Sequence, residues 1–129
     1  MPPRTVAEIA AAGGSARSYE ASVDDAEADA TMVDAILADF GFVDVLVANA
    51  GIASRGRAVA DTDPAEVDRL LQTHATSAHH LSRLVLPSMR ARPRGDIVMI
   101  SSVATAHMAP FGAPYNMAKA ALALSPVLA

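Results

Sequence analysis

GDIVMISSVATAHMAPFGAPYNMAKAALA, residues Gly95 to Ala123, is the stretch whose reading decides the fold. An apolar run, IVMI, ends at Ser101-Ser102, an irregular segment with Pro110 and Gly112 follows, and an alanine-rich helix opens around Pro114. That is a buried strand, a loop and the start of a helix. Tyr115 and Lys119 are four apart, so on a helix they share a face, one turn from each other. A free tyrosine has a pKa near ~10 and is a poor proton donor or acceptor at neutral pH. A lysine ammonium one turn away favours the phenolate and makes the phenol usable for proton transfer. Ser102, at the end of the strand, can donate a hydrogen bond to the oxygen that Tyr115 would protonate. A tyrosine, a lysine and a serine so placed suit carbonyl reduction and alcohol oxidation.

Ser102 followed by Tyr115-Asn116-Met117-Ala118-Lys119 resembles the Ser…Tyr-x-x-x-Lys signature of the short-chain dehydrogenase/reductase family, and Asn49-Ala50-Gly51 upstream resembles a second feature of it. Order and context give the match its specificity: Ile-Ser-Ser closes an apolar strand, the serine-to-tyrosine spacing fits, and Asn-Ala-Gly precedes both. Lys119 is also the only lysine in the chain. Bacterial 3-oxoacyl-acyl-carrier-protein reductase-like members are the nearest in appearance.

The resemblance implies a partial Rossmann-like doubly wound parallel sheet of the three-layer α/β/α type, with residues 1–129 as one partial NAD(P)-binding domain. It implies that Tyr115 is the general acid/base, that Ser102 holds the substrate oxygen, and that Lys119 lowers the tyrosine pKa and binds the nicotinamide ribose. Asn49, Ala50 and Gly51 would border the cofactor, NAD or NADP. The helix before the Gly95 strand usually carries an asparagine as a fourth catalytic residue, and in LLQTHATSAHHL His74 takes that place. An imidazole can also donate, accept and shuttle protons. A hydrogen-bonded structural histidine on the sheet-facing side is the alternative for His74.

The whole chain sets bounds consistent with this. At 129 residues it is one domain at most, and 52% apolar residues favour folding over disorder. A net charge of -4 argues against a nucleic-acid partner, which needs a basic face. Cysteine is absent, so there is neither a disulfide framework nor a thiolate metal site. His79, His80 and His107 do not repeat at a ligand spacing, and no metal is expected. No apolar run approaches the roughly 20 residues of a membrane helix, and the opening residues lack a signal peptide's apolar core. A cytoplasmic protein acting on a small carbonyl or alcohol substrate is expected, with homo-oligomers as in the family.

Taken in order, residues 4–12 have helical spacing and stop at Gly13-Gly14, and residues 15–23 form a short strand. Asp24-Asp25 caps a helix to Phe40, closed by Gly41, and residues 42–47 are a buried strand. Arg55 and Arg57 lie on a solvated loop. Asp63-Pro64-Ala65-Glu66 starts a helix, with Asp63 as cap and Glu66 completing a capping box. That helix carries His74 and ends at Pro87 and the ARPRG stretch.

Two segments of the family pattern have no counterpart. No GxxxGxG or GxGxxG opens a helix, Ser22 stands where the family has an aspartate near the adenine, and nothing follows the Tyr115 helix, which Pro126 interrupts before Ala129. The strands present correspond to the third, fourth and fifth of a complete member, with the first and last strands missing. The competing reading is therefore a truncated, non-catalytic remnant, or a subunit that acts only through an oligomer interface and binds no cofactor alone.

Overall fold

The computed structural model describes residues 4–108 and 110–125. Helix α1 spans Arg4–Ala11 and α2 spans Ala26–Phe40; strand β1 is Val45–Ala48. Helix α3, Pro64–Leu71, runs through a π-helical stretch, Gln72–Thr76, into α4, Ser77–Arg90. Strand β2 is Asp96–Met99, and α5 is Ala113–Ala123. Pro126 and Ala129 lie outside the described residues.

The helix boundaries follow local chemistry. The Asp25 carboxylate accepts from the amides of Glu27 and Ala28 and so satisfies two of the donors left free at the start of α2. Gly41 closes that helix in the left-handed region, φ 83°, its N–H reaching Leu37 O at 2.8 Å. Pro64 begins α3 behind the Asp63 cap, whose carboxylate accepts from Ala65 N. Glu66 does not complete a capping box. Its carboxylate turns away to the preceding loop, because that loop offers two unpaired donors, Ser54 Oγ and Arg55 N.

Strands β1 and β2 pair in parallel, Leu46 against Ile97 and Val47 against Val98. Side chains in register on a parallel pair point to one face. Leu46 and Ile97 turn toward α2 and α4, where Val33, Leu81, Val85 and Met89 form the core. The helices cover this face. On the other, Val45, Val47 and Val98 carry no helix among the described residues, and Val45 and Val47 are 53% and 55% exposed. The sheet is thus a fragment of a larger doubly wound one.

Residues 15–22 do not form the expected strand. An extended segment becomes a strand only against a partner, and the two-stranded sheet offers these residues none. They are instead stapled to the end of α2, Tyr19 Oη donating to Asp39 Oδ2 at 2.6 Å and Arg17 pairing with Asp39 at 3.4 Å. Pro87 lies inside its helix, and α4 continues to Arg90 and closes at the expected ARPRG stretch, residues 91–95. A proline so near the C-terminal end removes one ladder bond and is tolerated where packing holds the last turn. Ser88 Oγ takes the Val43 amide at 3.0 Å, and just past the helix Arg92 bonds Asp44 and stacks over Phe42, fastening this end to the start of β1.

Candidate active site

Beyond the C-terminal ends of β1 and β2 a cleft of about 530 Å³ opens. In open parallel sheets ligands bind at this edge. Its walls include Asn49, Gly51 and Ile52 from the segment after β1, His74 from the π stretch, and Tyr115 and Lys119 from α5.

Lys119 is buried, 5% exposed, and its Nζ donates to Ile100 O at 2.6 Å, at the end of β2. Of the three hydrogens on an ammonium one is thus taken by the sheet. Tyr115, half-buried, sits one turn before it, with Nζ 5.9 Å from the ring centroid. Its position comes from Gly112-Ala113-Pro114, which opens α5 with a proline in the first turn.

The His74 ring, 3% exposed, meets the Tyr115 ring edge to face, centroids 5.4 Å apart at 89°. Its Nε2 lies 2.8 Å from Ile52 O and 3.2 Å from Ile52 N. Nε2 donates to the carbonyl in one tautomer and accepts from the amide in the other, and Nδ1 has no hydrogen-bond partner among the described residues. Burial holds this imidazole below the usual histidine range, and the Lys119 ammonium pushes the same way against the Ile52 carbonyl. Gly51 is required by this ring: a Cβ there would come within 2.5 Å of His74 Cε1. Close approach of the ring is the reason a glycine stands here.

The other expected residues are placed less centrally. Ser102, half-buried, caps the short 3-10 turn Val103–Thr105, its Oγ accepting from Ala104 N at 3.2 Å, and Ser101 rather than Ser102 lines the cleft. Ala50 faces a second hollow between β1, α2 and α4. The cleft thus brings together Tyr115, Lys119, His74, Asn49 and Gly51, with Ser102 at its margin.

Glu66 was not among the expected site residues. It is buried, and its Oε1 accepts from Ser54 Oγ at 2.8 Å and Arg55 N at 2.7 Å, fixing a cleft wall that includes Ile52, Ala53, Ser54 and Gly56. These bonds hold its carboxyl below the usual carboxylate range, the Arg55 amide first and the Ser54 hydroxyl next, against partial burial. Its sequence signal, an acid in the first turn of a helix, reads equally well as a cap. No group of three or more potential metal-ligating side chains occurs among the described residues, and no helix there is long and apolar enough to cross a membrane.

The sequence pattern of the family described as short chain dehydrogenase matches residues 2–125. The 3-oxoacyl-[acyl-carrier-protein] reductase FabG of Haemophilus influenzae is 35% identical over 108 residues, covering 84% of this chain and 44% of that protein. A metagenomic short-chain oxidoreductase solved in complex with NADP superposes with a TM-score of 0.88 at 36% identity, over 94% of this chain and 54% of that one. NAD+-bound xylitol dehydrogenase superposes at 0.86 and 32% identity, over 92% and 46%. The chain spans between about a quarter and about half the length of the relatives it matches.

Proposed function

The chain belongs to the short-chain dehydrogenase family, and from that premise we propose that its cleft serves hydride transfer between a nicotinamide cofactor, NAD or NADP, and a carbonyl or secondary alcohol. The observation that carries the reading is Lys119, buried and fixed to Ile100 O one turn from Tyr115 in an open cleft. A buried ammonium needs a compensating role. Holding the hydroxyls of a ligand beside Tyr115 is one.

When bound, the cofactor supplies or accepts the hydride. Tyr115 Oη gives its proton to the oxygen of a carbonyl being reduced, or takes the proton from an alcohol being oxidised. Lys119 Nζ lies 5.9 Å from the Tyr115 ring centroid, and its remaining hydrogens suit the hydroxyls of a ribose. Ser102 Oγ accepts from Ala104 N and keeps its own hydrogen, which it can donate to the same substrate oxygen. Asn49 and Gly51, which line the cleft, would border the cofactor. His74 packs edge to face on the Tyr115 ring, and its Nδ1, without a hydrogen-bond partner among the described residues, is the atom through which it would join proton relay.

The residues present suit the nicotinamide-ribose half of the cofactor better than its pyrophosphate. Helices α2 and α3 open on Asp25 and Asp63, whose carboxylates repel a phosphate at the place where helix dipoles would attract one. The substrate we favour is a 3-oxoacyl thioester, supported by the likeness to the Haemophilus reductase, and the working form is a homo-oligomer. The exposed Val45–Val47 face and the acidic helix starts favour a second reading, a non-catalytic chain that works through a partner.

The test is Tyr115→Phe assayed by nicotinamide absorbance with a 3-oxoacyl thioester. Loss of about 10²–10⁴-fold in turnover with an unchanged melting temperature is expected of a general acid. A wild-type chain with no turnover, or a variant equal to it, would leave only the partner-dependent reading.

A further inference from the structure

The segment after β1 is held at two points by one run of helix. His74 takes the Ile52 carbonyl at 2.8 Å, and Glu66, two turns earlier, takes Ser54 Oγ and the Arg55 amide at 2.8 and 2.7 Å. Ser54 Oγ in turn accepts from Gly56 N at 3.3 Å, where the backbone is in the left-handed region with φ 72°. Ile52, Ala53, Ser54 and Gly56 all line the cleft. The two ties differ in kind. The histidine tie is between neutral groups, whereas the glutamate tie is charge-assisted, about twice as strong for an ionised acceptor. The nearby cations, Arg55 on the loop and Arg69 on α3, favour the ionised form.

We propose that Glu66, as the carboxylate, is the positioning residue that clamps the Ser54–Arg55 loop to α3 and so holds the cleft wall in its ligand-binding shape. Glu66 touches no reacting atom. It acts through the loop, so its loss weakens binding in the cleft and leaves the proton-transfer groups on α5 in place. The binding part of the inference rests on the cofactor reading above; the clamp itself does not.

The test compares wild type with Glu66→Gln and Glu66→Ala by thermal melting, by amide hydrogen exchange at Arg55, and by fluorescence titration with NADH and NADPH. Glutamine keeps the shape and an acceptor but not the charge. It is expected to melt near wild type, to speed Arg55 exchange about tenfold, and to weaken nucleotide binding several-fold, with alanine exceeding it in both. Arg55 exchange unchanged in the glutamine variant overturns the charged clamp. Faster exchange with undiminished nucleotide affinity overturns the positioning role. A wild type that binds neither nucleotide refutes the cofactor reading and the positioning role with it, and Arg55 exchange still decides the clamp. If alanine fails to fold, the glutamine variant alone decides.

Discussion

His74 and Gly51 form the tightest couple in the cleft, because the ring lies where a Gly51 side chain would be. Gly51→Ala should cost about 1–3 kcal/mol by overpacking. Chemical denaturation of the single and double mutants should show most of that cost vanish when His74 is also alanine, since contacting residues couple. The imidazole's charge gives a second expectation. Burial lowers its folded pKa below the unfolded value near 6.5, so the unfolded chain binds the extra proton. Its contribution to stability is present above that pH and is lost as the pH falls through 6.5 toward the folded value. A pH series of melting temperatures should therefore drop more steeply below 6.5 in wild type than in His74→Asn. That His74 reads as a fourth catalytic residue or as a structural histidine was legible from the run LLQTHATSAHHL. Its grip on Ile52 was not, because that contact joins segments 22 residues apart and leaves no local pattern.

At the scale of elements, what could be read was what is locally determined. Helix α2 begins and ends at the Asp25 and Gly41 named from sequence, since each cap acts within one turn of itself. The strand expected at 15–23 failed for the opposite reason: its hydrogen bonds belong to a neighbour. The π stretch at Gln72–Thr76 also has no periodic signature. Thr73 Oγ1 within it bonds Arg69 O and Ser77 Oγ just past it bonds Thr73 O, each four residues back, a pattern that bends helices. Helix α2 holds one further anomaly. Asp29 is fully buried near His80 of α4, and neither carboxylate oxygen has a hydrogen-bond partner among the described residues. Burial raises its pKa, with His80 opposing and Asp25 and Asp24 adding to the rise. The folded chain then holds the proton more tightly, and this group costs stability as the pH rises past the ordinary carboxylate range. Asp29→Leu should stabilise the chain by about 1–2 kcal/mol at pH 7 by removing an unsatisfied buried group. A urea midpoint no higher than wild type would refute that account.

For the molecule as a whole, the two strands and five α-helices among the described residues build a core on one face of the sheet and leave the other apolar. Val45, Val47 and Val98 together present a contiguous apolar surface of the kind that drives association. Val47→Thr with Val98→Thr should lower the sedimentation-average mass of the isolated chain at micromolar concentration; an unchanged mass would place association elsewhere. The central claim is that this cleft receives a nicotinamide cofactor. It is tested most directly by thermal melting of the 129-residue chain with and without saturating NADH or NADPH. A ligand at a hundred times its Kd stabilises the native state by about 2.7 kcal/mol. The account predicts one cooperative transition that moves up by several degrees with at least one of the two nucleotides. A transition indifferent to both would contradict it.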